Sequence, residues 1–139
     1  MEFKKLTPNL IVEDVSTSLK FYQDVLGFKQ ELNVPEQPPY VFASVASGNV
    51  EIFLNQREVA GVHAQLGGTC TMYIEAEGLD EIHQRVQKHN ARIVMQVQEM
   101  FYGMREFSFL DPDGYTIIIA ERFACIVSWF PKVRDSAAV

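Results

Sequence analysis

Two carboxylates stand beside tyrosines in this sequence, and they are the side chains that could do chemistry on an organic molecule. Glu75 follows Tyr73 by two residues, and Glu106 follows Tyr102 by four. A carboxylate can act as a general base or as the counter-ion of a cation, while an aromatic ring can stack on a flat ligand or bind a cation. Because no sequence feature separates a base from a ligand clamp, both roles stay open for Glu75 and Glu106.

Other kinds of catalytic centre are not indicated. The chain has no Ser/His/Asp order with supporting motifs, no glycine loop for phosphate and no nucleophile elbow. His83 and His89 are six residues apart on a predicted helix, which is about 240° of rotation, so they do not share a face. We therefore expect surface or capping roles for these two and for His63, and a buried, inert thiol for Cys70.

Composition indicates an ordinary globular protein. The 139 residues are 47% hydrophobic and 22% charged, and the net charge of −6 argues against nucleic acid or an anionic membrane as partner. It is compatible with a cationic ligand. Two cysteines are too few for a disulfide framework, and the N-terminus carries no long apolar stretch. We expect a cytoplasmic protein.

The elements that must position these residues occur in one order, written twice. Period-two and helical apolar patterns predict strand, helix, strand, strand, strand, with the copies about 64 residues apart. The predicted class is α+β: two βαβββ modules forming a curved mixed sheet around a concave cleft, with helices on the outer face. The predicted single domain spans 1–122, with modules at about 5–55 and 68–122, a linker at 56–67 and an extension at 123–139.

Local signals place the turns and part of the core. Ser47-Gly48-Asn49 predicts one hairpin turn, and Asp111-Pro112-Asp113-Gly114 predicts a type I turn in the last hairpin. The alternation in "LTPNLIVED" predicts a strand with Leu6, Leu10 and Val12 on one face. Phe107 and Phe109 are predicted core residues, and Arg105-Glu106 is interpreted as a surface ion pair.

Two stretches resemble a known family. "LIVEDVSTSLKFYQDVLGF" is similar to the opening module of the vicinal oxygen chelate superfamily, and "FYGMREFSFLDPDGY" is similar to its closing hairpin. The superfamily includes glyoxalase I, extradiol dioxygenases, fosfomycin-resistance enzymes and bleomycin-resistance proteins. The resemblance covers roughly residues 5 to 122. The run "YGMREF" resembles the bleomycin-resistance-like branch most.

The resemblance implies where a metal would bind. Catalytic members of the superfamily hold a divalent ion with four side chains, usually His, Glu or Gln. The matching positions here are Thr7, Phe53, Thr71 and Ile118. Phe and Ile offer no donor, and a threonine hydroxyl alone is a poor ligand. We therefore expect neither a metal nor another cofactor.

The resemblance and the alternation together indicate a ligand cleft. Tyr102 matches an aromatic residue that lines the drug pocket in the resistance-protein branch, whereas Phe53 and Tyr73 could equally be packing residues. The candidate ligand-binding residues are Tyr40, Phe53, Tyr73, Phe101, Tyr102, Met104 and Glu106, with Phe42 as an alternative to Tyr40.

Three functional hypotheses follow. The first is a metal-free dimer that sequesters an aromatic or cationic small molecule, as the resemblance to resistance proteins implies. The second is a lyase, isomerase or dioxygenase of the superfamily with Glu75 or Glu106 as base. The third is a metal enzyme whose ligands lie at positions other than the four named for the metal. The apolar residues from Phe123 onward would dock on their own domain or on a second subunit.

Overall fold

The computed structural model describes residues 1–60, 65–68 and 70–123, except for the side chains of residues 59 and 60. The chain forms two compact units. The first contains Met1–Cys70 together with Asp111–Tyr115, and the second contains Thr71–Leu110 and the segment that begins at Thr116. Each unit has one four-stranded sheet and one long helix, as the repeated pattern predicts.

The first unit has strand order β1-β4-β3-β2, with β1 parallel to β4 and the other pairs antiparallel. Its elements are β1 (Asn9–Val12), α1 (Val15–Asp24), β2 (Lys29–Val34), β3 (Phe42–Ser47), β4 (Val50–Gln56) and the short α2 (Arg57–Ala60). Helix α1 begins after Asp14, whose Oδ2 accepts the backbone N–H of Thr17 at 2.9 Å. The left-handed backbone of Gly27, with φ of 72°, follows the helix end.

The second unit repeats this topology with strand order β5-β8-β7-β6, and β5 is parallel to β8. Its elements are β5 (Thr71–Glu75), α3 (Leu79–Lys88), β6 (Ile93–Glu99), β7 (Met104–Leu110) and β8 (Thr116–Arg122). The N-cap of α3 is Gly78, whose backbone N–H donates to Glu121 Oε1 at 2.8 Å. Acidic residues in the first turn and basic residues in the last turn complement the helix dipole.

Each helix covers one face of its own sheet with apolar side chains. In the first unit, Val15, Leu19 and Tyr22 of α1 are buried, as are Ile52 and Leu54 of β4. In the second unit, the buried set is Leu79 and Val86 of α3 with Met72, Phe107, Phe109, Ile117 and Ile119 of the sheet. The predicted core roles of Phe107 and Phe109 are thus confirmed, and their rings stack with centroids 5.6 Å apart.

The predicted DPDG turn belongs to the first unit, where it binds helix α1. We call residues Asp111–Tyr115 the closing turn. Asp111 Oδ1 accepts the backbone N–H groups of Asp113 and Tyr115, and its Oδ2 accepts the Tyr22 hydroxyl at 2.8 Å. Burial raises the pKa of Asp111, against the lowering effect of these hydrogen bonds.

Further bonds fix the closing turn to the start of the chain. Asp113 accepts the backbone N–H of Glu13 at 3.0 Å and the Ser18 hydroxyl at 3.2 Å. Tyr115 donates its hydroxyl to the carbonyl oxygen of Ile11 at 2.7 Å. The two sequence stretches that carried the family resemblance therefore hold each other in place.

Several expectations about ends and exposure were wrong. Strand β1 begins at Asn9, so the alternation of Leu10 and Val12 does not extend to Leu6, which is 87% exposed. Cys70 is exposed, because it precedes β5 and is outside the alternating strand. The short helix α2 lies within the stretch interpreted as a linker, and the linker role stays a prediction. His63 and all of the predicted extension after Phe123 lie outside the described residues.

Candidate ligand-binding site

The two faces of the second sheet carry different side chains. Strand register aligns Tyr73 of β5 with Ile118 of β8, and Ile118 in turn with Ser108 of β7. The neighbouring row on the same face is Glu75, Ala120 and Glu106. Residues of the opposite face pack under α3, where the ring of His83 lies 4.9 Å from that of Phe107. The face away from α3 is therefore the one that carries Tyr73, Glu75 and Glu106.

Three candidate residues meet on this face, and we call Tyr73, Tyr102 and Glu106 the tyrosine–glutamate cluster. The Tyr73 hydroxyl donates to Glu106 Oε1 at 2.5 Å, and the Tyr102 hydroxyl donates to the same oxygen at 2.7 Å. Glu106 is only 3% exposed, whereas Tyr73 is 51% exposed. A carboxylate is thus fixed by two phenols, one of which belongs to a half-exposed residue.

A tight turn brings Tyr102 to the carboxylate. The Gly103 N–H donates to the Met100 carbonyl oxygen at 3.0 Å, and Gly103 has a φ of 87°, a conformation that favours glycine. The turn joins β6 to β7, and Glu106 is the third residue of β7. The turn at Gly103 therefore lets the Tyr102 hydroxyl reach the carboxylate four residues later in the "YGMRE" run.

Both phenols of the cluster have raised pKa values. The hydrogen bond to Glu106, followed by partial desolvation, raises the pKa of Tyr102 to about 12. Desolvation of the hydroxyl, followed by the hydrogen bond to Glu106, raises the pKa of Tyr73 above its ordinary value. Both residues are therefore neutral hydrogen-bond donors at physiological pH.

The other candidates of the second unit surround the cluster with different exposures. Phe101 is 70% exposed, and its ring lies with its centroid 5.1 Å from that of Tyr102, edge to face. Met104 is buried, and its register partner is Arg122. Glu75 accepts the Arg122 Nε–H at 3.2 Å. Glu75 is thus already paired with a cation, whereas Glu106 is bound by neutral groups.

The expected Arg105–Glu106 ion pair was wrong. Neighbouring residues of a strand point to opposite faces, so Arg105 and Glu106 cannot meet on one surface. Arg105 instead pairs with Asp80 at 3.0 Å and lies 3.8 Å from a Glu121 oxygen. This pairing lowers the pKa of Asp80 and raises that of Arg105.

The first unit contains the remaining candidates, Tyr40 and Phe53. The Phe53 ring contacts that of Phe42 edge to face, with centroids 5.3 Å apart. Phe42 lies on β3, whereas Tyr40 precedes that strand and is partly buried. The same face of this sheet carries Asn9 hydrogen-bonded to Asn55, which are register neighbours of Phe53 and Phe42.

Sequence reasoning missed one further polar group on this sheet. Ser44 is the register partner of Phe53, is fully buried, and is the one residue in the described part of the chain with a buried side-chain oxygen lacking a hydrogen-bond partner. Its residue type does not distinguish it, since serine is common in strands. Its position beside Phe42 and Phe53 follows from the strand register, which the sequence alone does not predict.

A separate cavity of 310 Å³ lies in the first unit. It is lined by Gly27, Lys29, Glu31, Ala46, Ser47 and Gly48. None of the predicted site residues lines it. The cavity and the tyrosine–glutamate cluster are therefore different features.

The fold and sequence together define a class of protein built from paired βαβββ units. The sequence profile of the Glyoxalase/Bleomycin resistance protein/Dioxygenase superfamily matches residues 6–119, and the chain belongs to that superfamily. A bleomycin resistance protein of Geobacillus stearothermophilus is 27% identical over 124 residues, which cover 79% of this chain and 90% of that protein. A bleomycin resistance protein of Staphylococcus aureus matches to the same extent.

Solved structures show the same fold. TioX from Micromonospora sp. ML1 superimposes with a TM-score of 0.75 at 20% identity, covering 86% of this chain and 99% of that one. A superfamily member from Sphaerobacter thermophilus gives a TM-score of 0.73 at 21% identity, covering 87% and 98%. These likenesses establish the fold and leave the ligand open.

The side chains at the four positions predicted to match the superfamily's metal ligands do not fit a divalent ion. Phe53 and Ile118 carry only carbon, Thr71 is exposed at the start of β5, and Thr7 precedes β1. In the ranges that the structure describes, no group of three or more His, Cys, Asp or Glu residues is arranged to hold a metal.

Across the described ranges, no helix has both the length and the apolar character needed to cross a membrane.

Proposed function

We propose that this protein is a metal-free, sequestration-type member of the superfamily that binds an aromatic or cationic organic molecule. The observation that carries the proposal is the tyrosine–glutamate cluster, in which a nearly buried carboxylate is held by two phenols beside the exposed ring of Phe101. Rings supply stacking and dispersion, and a carboxylate selects for positive charge. The bleomycin resistance relatives support the assignment to a binding role.

The proposed ligand contacts are those predicted from the sequence. In the second unit they are Tyr73, Phe101, Tyr102, Met104 and Glu106, and in the first unit they are Tyr40 and Phe53. Among them, Tyr102 has the strongest support, because its hydroxyl donates to Glu106 and its ring contacts that of Phe101. We further propose a homodimer, as the resemblance to resistance proteins implies, and a cytoplasmic location, as the count of only two cysteines indicates.

A ligand screen by thermal shift, followed by titration calorimetry, tests the binding role. We expect planar aromatic and cationic compounds to raise the melting temperature and to be recovered unchanged after long incubation. Tyr102→Ala should weaken the affinity for such a hit about tenfold without unfolding the protein, since one stacking ring is lost. Tyr102→Phe is the matched control because it keeps the ring. Unchanged affinity in Tyr102→Ala would refute the aromatic clamp.

Elemental analysis tests the metal-free state. Protein purified without chelator should contain no stoichiometric transition metal, because two of the four expected positions offer no donor atom. Stoichiometric nickel, zinc, iron or manganese would overturn this part of the proposal.

A second candidate function is a lyase, isomerase or dioxygenase-type enzyme of the superfamily with a carboxylate base. The observation that favours it is the burial of Glu106, since buried carboxylates are frequent general bases. Glu75 is less suited to this role because Arg122 already binds it. Slow turnover of a screening hit that disappears in Glu106→Gln, with binding retained, would establish the enzyme and exclude simple sequestration.

A further inference from the structure

Glu106 is a nearly buried carboxylate that no cation in the described part of the chain neutralises. Its Oε1 accepts two phenol hydroxyls, while no hydrogen bond from a described residue reaches its Oε2. A carboxylate oxygen has two lone pairs, and buried charges in proteins are usually paired. The arrangement thus has one oxygen occupied and one available.

The nearby arginines are already bound to other carboxylates. Arg105 lies on the opposite face and pairs with Asp80, and Arg122 pairs with Glu75. Register places Gln98 of β6 and Ala120 of β8 beside Glu106, and neither carries a charge. The partner of Glu106 is therefore to be sought outside these strands.

We propose that Glu106 Oε2 is the acceptor for a protonated nitrogen of the ligand, with the nitrogen bearing at least one N–H. The inference rests on the proposed binding function and narrows it, since it requires a cationic donor and not merely a flat ring. Tyr73 and Tyr102 act as positioning residues: by occupying Oε1 they orient the carboxylate so that Oε2 meets the ligand. A charge-assisted N–H···O bond in a poorly hydrated site is stronger than a neutral one.

Three tricyclic probes separate the effect of charge from that of an N–H donor on a shared ring system. The first is 9-aminoacridine, a cation with N–H groups; the second is 10-methylacridinium, a cation without an N–H; the third is acridone, a neutral ring system of similar size with one uncharged N–H. Fluorescence titration of the full chain should give 9-aminoacridine an affinity at least about tenfold above that of acridone. We expect 10-methylacridinium to fall between them, because it keeps the charge and lacks the hydrogen bond.

Glu106→Gln is the decisive variant, and Glu99→Gln is its matched control. Both remove one negative charge from the same sheet, but Glu99 is exposed and lies on the opposite strand face. Glu106→Gln should lower 9-aminoacridine affinity about tenfold or more and leave acridone affinity within about twofold. Glu99→Gln should change neither affinity. Equal loss in both variants would mean long-range attraction only and would overturn the proposal.

A second variant keeps the test valid if Glu106→Gln does not fold. The double variant Tyr73→Phe/Tyr102→Phe keeps both rings and the carboxylate but removes the hydroxyls that fix Oε1. The preference for 9-aminoacridine over acridone should shrink while acridone affinity is retained, which a purely structural role would not produce. An unchanged preference would refute the positioning role.

Failure of the two proposals looks different. If acridone and 9-aminoacridine bind equally well to the wild-type protein, the counter-ion role of Glu106 is wrong and the binding function stands. If none of the three probes binds, the proposed affinity for flat aromatic molecules fails, and the role of Glu106 fails with it.

Discussion

At the scale of single residues, buried polar groups differ in whether the fold supplies them with a partner. Ser18 and Ser44 are both fully buried serines of the first unit. The Ser18 hydroxyl donates to Asp113, whereas the Ser44 hydroxyl has no partner among the described residues. An unmade hydrogen bond in the interior costs free energy, so the two hydroxyls have opposite effects on stability.

Alanine substitution should reveal this difference. Ser44→Ala removes an unpaired hydroxyl and should leave the free energy of unfolding unchanged or raise it by about 1 kcal/mol. Ser18→Ala removes a bonded hydroxyl and should lower it by about 1 kcal/mol. Urea denaturation measures both. Equal destabilisation by the two changes would show that Ser44 has a partner in solution.

The raised pKa of Tyr102 predicts a specific pH dependence. The folded protein holds this phenol proton more tightly than the unfolded chain, in which tyrosine titrates near 10. The stability that this supplies is complete below pH 10 and is lost as the pH rises towards about 12. Tyr102→Phe should therefore show a shallower fall in stability over that window, measured by urea denaturation at alkaline pH.

The cause of the shift can be tested in the same experiment. Because the hydrogen bond to Glu106 is its largest cause, Glu106→Gln should move the Tyr102 phenolate step back towards its ordinary pH, as followed by ultraviolet absorbance. A step that stays at about 12 in Glu106→Gln would assign the shift to burial instead.

At the scale of elements, the closing turn is held to helix α1 by a hydrogen-bond network. Asp111 serves as acceptor for three donors at once, one of them the buried Tyr22 hydroxyl. Burial raises the pKa of Tyr22 well above its ordinary value, and the negative charge of Asp111 and its hydrogen bond with the Tyr22 hydroxyl raise it further. The closing turn, which its own residues predict from the sequence, therefore also binds helix α1, almost ninety residues earlier in the chain.

Removal of this acceptor should be costly. Asp111→Ala leaves the Tyr22 hydroxyl and two backbone N–H groups unpaired, and we expect a loss of about 3 kcal/mol in the free energy of unfolding. Asp111→Asn, which keeps an acceptor oxygen for the backbone groups, should lose less. Thermal or urea denaturation provides the measurement.

A double-mutant cycle tests the link between turn and helix. Adding Tyr22→Phe to Asp111→Ala should cost less than the sum of the single changes, because the hydroxyl that was left unpaired is gone. Strict additivity of the two losses would show that the bond contributes nothing in solution.

The alternation of apolar and polar residues was sufficient to predict most strands, but it did not predict how neighbouring strands align with one another. The faces of β4 and β5 follow directly from their period of two, and Gly48 and Gly114 mark turns by their need for positive φ. The contact between Tyr73 and Glu106 depends on which residue of β5 lies beside which residue of β8 and β7. That pairing is set by long-range packing, so the sequence showed the residues of the cluster but not their hydrogen bonds.

At the scale of the whole molecule, a repeated topology carries different chemistry in its two copies. Register matches Ser44 with Phe53 in the first unit and Ser108 with Ile118 in the second. Two residues before these serines stand Phe42 and Glu106. The first unit thus has the aromatic side chain of Phe42 where the second has the buried carboxylate of Glu106. The two units share their topology but do not share this carboxylate.

The repeat also does not divide the chain into two independent pieces. The first unit includes the closing turn, although forty residues of the second unit, Thr71–Leu110, come between them in the sequence. A fragment of residues 1–70 would lack the acceptors for Tyr22 and Ser18. We expect it to remain unfolded, with poorly dispersed amide signals in NMR, while the full chain folds. A well-dispersed fragment spectrum would contradict this.

Protein synthesis delivers the first sheet to the exterior of the ribosome long before the residues that complete it. We expect the nascent N-terminal half to stay unfolded, with the hydroxyl of Tyr22 still hydrated, until position 115 has left the exit tunnel, because its acceptor on Asp111 belongs to that late segment. Half-by-half maturation during translation is therefore not expected for this polypeptide.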